Sequence, residues 1–359
     1  MKTLWKILLV MVCVALPLGA LAEEGALTMP EPYASATFTD PSEIPYPDNR
    51  DENGYLTEGE FVHEDDEAGL WAYLSPTLQV QIVRYEGNWD KFNQRWFIAE
   101  VKFDPSKEMF DRHTWYVEDV TGMGLLGKLQ RNGVTRGDIK DQAIWPKTLA
   151  QADRMVLAVN GDFYLGRASK SQATGNILRQ GKVLYDVNPK KNLSFPNLDS
   201  AAFFPDGSIK VFDHLETTAT EQLEAGARNM VSFGPWLIRD GAARELEGDY
   251  VMQREPRLAI GMVEPGHFII VDCEGRVPSN RGNGARGLNL IELRDLLYYN
   301  GVQQAINMDG GNTSVLIFMG EKLNLTGLND IVGSPRNQNE LFGVGKSELV
   351  RTDWANGKP

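Results

Sequence analysis

Apolar runs of four to nine residues recur along the chain from about residue 70 onwards. They are rich in β-branched and aromatic residues and are bounded by Gly, Pro, Asn or Asp, a pattern typical of strands. Between the first two runs, the segment GNWDKFN predicts the turn of a hairpin. The predicted strands are 78–85, 95–103, 154–160, 176–185 with a turn at 180–181, 200–212 with a turn at PDGS, 230–238, 257–263, 267–273, 303–308 and 313–319.

Only two segments favour helices. The stronger spans about Leu290 to Asn300, where Asn289 can cap, Glu292 lies at the third position and Gly301 ends the run. The second spans 146–153 and has a proline in its first turn. Many strands with few helices predict an α+β fold: a single catalytic domain over 70–350, built on a large, mostly antiparallel or mixed sheet system.

The first 69 residues differ in character from the rest. Residues 1–22 combine a basic start, a short apolar stretch and a small-residue end, which predicts a secretory signal peptide. The rival interpretation is a retained membrane anchor, but the run is short and two glutamates follow at once. Residues 23–69 are rich in Pro, Asp and Glu, with Arg50 as their only Lys or Arg, and predict an acidic, extended linker.

Within that acidic segment, residues 49–60 match the spacing of a calcium-binding loop. Oxygen-bearing side chains occur at Asn49, Asp51 and Asn53, followed by Gly54 and a glutamate at position 60. A solvated acidic turn is the competing interpretation, and it is favoured because no amphipathic helix frames the loop.

The charge limits the classes of partner. Loss of the signal peptide removes Lys2 and Lys6 and no acids, so the formal charge changes from −13 to −15. This excess of acid argues against nucleic-acid binding and against general attraction to anionic lipid, so an anionic substrate needs a local basic cluster. Cys273 then remains as the single cysteine, and packing is favoured over a nucleophilic role for it. The scattered histidines argue against a zinc site.

Polar and glycine residues gather where several predicted strands end. The segments are VNGDFY (159–164), FGPWLIRDG (233–241), PRLAIG (256–261), VDCEGR (271–276) and NMDGG (307–311). Singly, each is an ordinary turn. Together, carboxylates beside bare glycine backbone offer both charge and amide donors to a ligand.

In this order, with the helical segment LIELRDLLYYNGVQQA before the last of them, these motifs resemble the phosphodiester glycosidase family over about residues 75–346. The resemblance implies hydrolysis of a sugar that is joined through its anomeric carbon to a phosphate. It also implies one cleft lined by Asn160, Arg257, Asp272, Arg276 and Asp309. Gly161, Gly310, Gly311 and Ser314 complete the predicted substrate-binding set.

Two motifs depart from the family pattern. The family's Asp-Gly-Arg is two residues longer here, as Asp272-Cys273-Glu274-Gly275-Arg276. Its Asp-Gly-Gly-Gly-Ser-Ser has Asn312 in place of the third glycine. These changes put the placement of Asp272 against Arg276, and the backbone freedom of the glycine loop, in question.

The chemistry of a sugar 1-phosphodiester assigns roles to these residues. Arg257 and Arg276 can bind phosphate oxygens, and Gly310 and Gly311 let backbone N–H groups approach closely. Asp309 is predicted to be the key carboxylate at the anomeric carbon, as nucleophile, base or electrostatic stabiliser. Asp162 and Asp272 are candidates for a second carboxylate.

Two further interpretations stay open at this stage. Asp162, Asp272 and Asp309 could together hold Ca²⁺ or Mg²⁺, and the enzyme would then cut the P–O bond with metal help. Alternatively, the altered motifs belong to a non-catalytic module that binds wall polysaccharide. In every case we expect a secreted or cell-envelope protein with a phosphate-linked glycan or cell-wall polymer as partner, no nucleic-acid partner, and no membrane span once the signal peptide is gone.

Overall fold

The structure is a computed structural model. It describes residues 33–89, 92–114, 145–161, 175–187, 197–280, 282–328, 331–332, 336, 338 and 340–352. The described strands are β1 (Phe61–Asp65), β2 (Leu70–Leu74), β3 (Leu78–Trp89), β4 (Phe92–Phe103), β5 (Asp111–Thr114), β6 (Met155–Val159), β7 (Gly175–Arg179), β8 (Lys182–Val187), β9 (Asp199–Phe203), β10 (Ile209–Phe212), β11 (Asn229–Phe233), β12 (Trp236–Arg239), β13 (Ala242–Ala243), β14 (Arg257–Glu264), β15 (His267–Cys273), β16 (Gln304–Met308), β17 (Leu316–Phe318), β18 (Glu321–Lys322), β19 (Gly327–Leu328), β20 (Ile331–Val332) and β21 (Glu340–Lys346). The described α-helices are α1 (Pro146–Ala152), α2 (Ala219–Glu224), α3 (Asp249–Met252) and α4 (Leu290–Tyr299).

Three sheets carry the fold, and a two-stranded β19-β20 ribbon accompanies them. The largest has the strand order β1-β2-β3-β4-β15-β14-β16-β12-β13, and the two smaller sheets have the orders β10-β9-β11-β7-β8 and β18-β17-β6-β21-β5. Among the described strands, every pairing is antiparallel. The predicted α+β class with a mostly antiparallel sheet system is therefore confirmed.

The central strands β14, β15 and β16 of the nine-stranded sheet are buried on both faces. On one face, Leu258 and Ile260 pack with Phe203 and Phe342 from the two smaller sheets. On the other face, Ala259 packs under the leucines of α4. This alternation along β14 is the period-two pattern of a strand, and it decides which side of the sheet each functional side chain faces.

Helix α4 begins where the sequence predicts. The Asn289 side chain accepts from the backbone N–H of Glu292, and the Glu292 carboxylate accepts in return from the N–H of Asn289. This reciprocal capping box fixes the start of the helix. None of the helices in the described part of the chain has the length and apolar character needed to cross a membrane.

The described part of the predicted linker, residues 33–69, is not an extended segment, so that prediction is wrong for these residues. Tyr33, Ile44 and Leu56 are buried, and the Tyr33 ring packs edge-on against Trp96 at 5.3 Å between centroids. Strand β1 forms the edge of the nine-stranded sheet by pairing with β2. A few apolar anchors hold the segment on the domain in spite of its acidic composition. The boundaries proposed for the signal peptide and the domain remain predictions.

Two strand predictions also need correction. The segment 230–238 forms two strands, β11 and β12, which belong to different sheets because Gly234 (φ 81°) and Pro235 break the run. The first hairpin exists, but its strands continue to Trp89 and Phe92, which pair with each other. The predicted turn residues are therefore mostly strand.

Candidate active site

The loop Asp309–Ser314 lies between β16 of the largest sheet and β17 of a smaller one. Its glycines are required by its path. A Cβ at Gly310 would collide with the carbonyl oxygen of Pro256, and the N–H of Gly311 donates to that same oxygen at 2.9 Å. Gly311 also has a left-handed backbone, with φ 58°. Backbone amides and Asp309, which is 7% exposed, thus share one tight turn.

The substitution at Asn312 leaves this turn intact. Asn312 lies within the single 3-10 turn Gly311–Thr313 and, unlike Gly311, does not have a positive φ, so an L-residue fits there. The third glycine of the family pattern is therefore not needed at this position.

Asn160 holds both ends of the loop. It follows β6, is fully buried, and donates from Nδ2 to the carbonyl oxygen of Asp309 at 2.7 Å. Its Oδ1 accepts from the N–H of Val315 at 3.1 Å. These two bonds assign Asn160 a positioning role in the structure. Gly161 beside it is buried, whereas Asp162 lies outside the described residues.

Arg276 reaches this loop. Its backbone is left-handed (φ 57°), and its guanidinium lies against Gly311, where an added Cβ would be 3.3 Å from Nη1. Its Nε donates to the carboxylate of Glu255, and 38% of its side chain is exposed. The two extra residues before Arg276 therefore do not prevent it from meeting the glycine turn.

Arg257 is directed differently. It is 4% exposed, faces the α4 side of the large sheet beside Cys273, and donates to the backbone carbonyls of Gln253 at 3.0 Å and Leu288 at 3.4 Å. Burial lowers the pKa of its guanidinium. These contacts tie β14 to the segments around it, and phosphate binding by Arg257 stays a prediction.

Asp272 and Ser314 form a buried pair on the opposite face of the sheet. The Ser314 hydroxyl donates to Asp272 Oδ2 at 2.5 Å, and both residues are fully buried. Asp272 Oδ1 has no hydrogen-bond partner among the described residues. Burial raises the pKa of this carboxyl to about 7, against the opposing effects of Ser314 and of the Lys322 ammonium group. The hydrogen bond between Ser314 and Asp272 thus fixes the C-terminal end of the Asp309–Ser314 loop.

This raised pKa makes stability depend on pH. The folded chain holds the Asp272 proton up to about pH 7, whereas an unfolded aspartate loses it near pH 4, so the stability that this group contributes falls as pH rises between those values. Between pH 5 and pH 8, we expect the free energy of unfolding of the wild type to fall by roughly 3 kcal/mol more than that of the Asp272→Asn variant. Urea denaturation of both proteins in EDTA at these two pH values measures the difference. A difference that does not change with pH would contradict the burial of a titrating carboxyl here.

Sequence reasoning missed Glu274 and Lys322 near this pair. Glu274 is 1% exposed; its Oε1 accepts from the N–H of Leu325 at 2.9 Å and its Oε2 accepts from the Asn283 amide. Burial raises the pKa of Glu274 and lowers that of Lys322 to about 8. The place of Glu274 within the lengthened VDCEGR motif could have drawn attention to it. No sequence motif pointed to Lys322.

The other candidates are placed as follows. In the described part of the chain, no group of three or more His, Cys, Asp or Glu side chains could hold a metal ion. In the calcium-like loop, Asp51 Oδ1 accepts from the N–H groups of Asn53 and Tyr55, both at 2.9 Å, as in an ordinary Asx turn. The Cys273 thiol is buried and burial raises its pKa.

A comparison with family models shows that the chain is a phosphodiester glycosidase by family. A family model with that description matches residues 153–344, just over half of the chain, and the chain belongs to this family. The predicted family is therefore confirmed, and the enzyme class is confirmed at the level of the family.

Named relatives match about half of the chain. The SPbeta prophage-derived protein YomE of Bacillus subtilis (strain 168) is 27% identical over 180 residues, which cover 49% of this chain and 26% of that protein. The N-acetylglucosamine-1-phosphodiester alpha-N-acetylglucosaminidase of Mus musculus is 25% identical over 179 residues, 46% of this chain and 32% of that protein. The chain therefore matches a third or less of the length of these relatives.

A solved structure shows the same fold. The catalytic domain of the zebrafish N-acetylglucosamine-1-phosphodiester alpha-N-acetylglucosaminidase, auto-inhibited by its pro-peptide, superposes with a TM-score of 0.50 at 18% identity. The match covers 81% of this chain and 90% of that domain. At this identity, the likeness concerns the fold alone.

Proposed function

We propose that this chain is a secreted hydrolase that cleaves a sugar 1-phosphodiester at the anomeric C–O bond. The observation that carries the proposal is the meeting of three features at one turn: the Asp309 residue, the Gly310-Gly311 backbone, and the Arg276 guanidinium against Gly311. A sugar 1-phosphodiester needs this combination, because its phosphate is anionic while its anomeric carbon becomes positive during the reaction.

Arg276 is the phosphate ligand in this scheme. Its guanidinium fork matches two phosphate oxygens, and its exposed fraction leaves it open to a ligand. Glu255 holds its Nε, so the terminal nitrogens remain directed along the glycine turn. Glu255 is thus a positioning residue for Arg276.

Asp309 is the carboxylate that acts on the anomeric carbon. A negative charge there stabilises the oxocarbenium-like transition state, either through space or as a nucleophile. Phosphate is already a good leaving group, so a strong general acid is less necessary than for an ordinary glycoside. Two hydrogen bonds keep Asp309 in place. Asn160 donates to its backbone carbonyl oxygen, and Ser314, at the other end of the loop, donates to Asp272.

The family and the name of the mouse relative support a substrate class. The mouse relative is named for an N-acetylglucosamine 1-phosphodiester, and we extend that class of substrate to this chain. The N-terminal segment predicted as a signal peptide supports secretion. A phosphate-linked glycan of the cell envelope would then be the natural partner.

Isotopically labelled water tests the bond that breaks. In H₂¹⁸O, attack at the anomeric carbon leaves the phosphomonoester product unlabelled, and we expect this result by ³¹P NMR and mass spectrometry. Label in the phosphate would show P–O cleavage and would replace the glycosidase with a phosphodiesterase. Binding of a sugar 1-phosphodiester with no release of sugar would instead favour a non-catalytic module.

A further inference from the structure

The chain also forms a polar cleft of about 440 Å³. Three separate parts of the chain line it: the N-terminal segment with Ser35 and Thr37, the β3–β4 hairpin with Glu86 and Arg95, and the 283–285 loop with Asn283. A volume of this size lies within the usual range for small-ligand sites. It is large enough for a short saccharide.

Hydrogen bonds tie these walls together. Thr37 and Glu86 exchange two backbone hydrogen bonds, of 2.7 and 2.9 Å. Across the cleft, Asn93 Nδ2 donates to the carbonyl oxygen of Asn283 at 2.7 Å. The cleft is therefore formed in the folded chain, and a ligand has little structure to order when it binds.

The lining favours an uncharged, polar ligand. Most of its side chains are hydroxyls and amides, which both donate and accept hydrogen bonds. The charges that are present offset each other, because Arg95 Nη2 lies 2.7 Å from Glu86 Oε1 and Nη1 lies 3.9 Å from Glu274 Oε2. Sugar hydroxyls suit such a surface better than an apolar or a strongly charged group does.

The cleft is connected to the phosphate side of the active site. Arg276 contacts Gly311, and the next residue, Val277, donates its N–H to the carbonyl oxygen of Ala285, which lines the cleft. The wall residue Ala285 is thus hydrogen-bonded to the residue that follows the proposed phosphate ligand.

Most of the lining lies outside the part of the chain that matches the family. The matched region is 153–344, whereas the N-terminal segment and the β3–β4 hairpin precede it. Walls contributed from outside the matched region suit a subsite that selects the substrate rather than one that performs the reaction.

We propose that this cleft binds neutral sugar units of the glycan that follows the phosphodiester. The proposal rests on the proposed function, since it assigns the part of the same substrate beyond the phosphate. It adds to the active site a subsite that discriminates an oligosaccharide-linked phosphodiester from a short one.

Filling the cleft tests the proposal. Ser35→Trp places an indole at its exposed wall, and Ser42→Trp makes the same change at an exposed serine of the same segment away from the lining. We compare two N-acetylglucosamine 1-phosphodiesters, one with a methyl group and one with a neutral trisaccharide beyond the phosphate. We expect Ser35→Trp to raise KM about tenfold for the trisaccharide substrate alone, the effect of losing one favourable contact region.

The opposite results would overturn the proposal. Equal KM changes for both substrates, or no change for either, would contradict a subsite in this cleft. Asn88→Trp, on the hairpin wall, replaces Ser35→Trp if circular dichroism shows that the latter is misfolded.

Direct binding separates this proposal from the function itself. Calorimetry with chitotriose, maltotriose and mannotriose on the full chain needs no turnover, and we expect binding of at least one that Ser35→Trp weakens and Ser42→Trp leaves unchanged. If the wild type hydrolyses neither substrate, the proposed function fails while this titration still decides the cleft. Absence of binding for all three sugars would refute the subsite.

Discussion

Replacing Asp309 with Asn is expected to abolish hydrolysis of a sugar 1-phosphodiester while the chain stays folded. The amide is nearly the same size, so the turn and the bond from Asn160 to the backbone carbonyl of Asp309 remain. What disappears is the negative charge at the anomeric carbon, and the loss of such electrostatic stabilisation costs about 10³-fold in kcat. Release of sugar by the purified variant, compared with the wild type, measures this effect.

Asp66→Asn is the control for this substitution. The Asp66 side chain is 92% exposed, so the same chemical change there should leave kcat unchanged. An Asp309→Asn variant with unfolding behaviour and kcat like those of the wild type would remove Asp309 from the proposed mechanism.

Replacing Arg276 with Lys is expected to lower kcat/KM for the phosphodiester by about 10²-fold, because an ammonium group cannot reproduce the bidentate contacts of a guanidinium with phosphate. The chain stays folded, since the side chain is partly exposed and lies at the surface of the glycine turn. Steady-state kinetics with one phosphodiester substrate measure the loss.

Arg154 offers a closely matched control. It is also left-handed (φ 53°), its side chain is 39% exposed, and it pairs with Glu348 at 2.9 Å. Arg154→Lys should change kcat/KM little. Equal losses in the two variants would mean that Arg276 acts through general charge or folding rather than on the phosphate.

Local features of the fold were predictable from the sequence. The capping pair Asn289 and Glu292 and the Gly301 stop gave α4 to within one residue, because they lie in one short segment. Strand pairs joined by short turns, such as β9 and β10, were predictable for the same reason. Long-range choices were not: one apolar run supplied β11 and β12 to two different sheets, and the acidic residues 33–69 packed on the domain.

The candidate site shows the same division. The glycine turn was visible as a motif. Its contact with Arg276 joins residues that follow two predicted strands, β15 and β16. The direction of Arg257 depended on the face of β14 to which it belongs, and that face is covered by α4 and the segments near it. Asp272 lies on the other face, where its bond to Ser314 depends on a loop 42 residues away in sequence. Burial of this kind is set by tertiary packing, so sequence motifs alone did not reveal it.

The most direct test is a crystal structure of the Asp309→Asn variant soaked with an N-acetylglucosamine 1-phosphodiester. The account predicts that the phosphate lies within hydrogen-bond distance of the Arg276 guanidinium, with the anomeric carbon beside residue 309. A phosphate bound elsewhere, with Arg276 and the turn untouched, would contradict it.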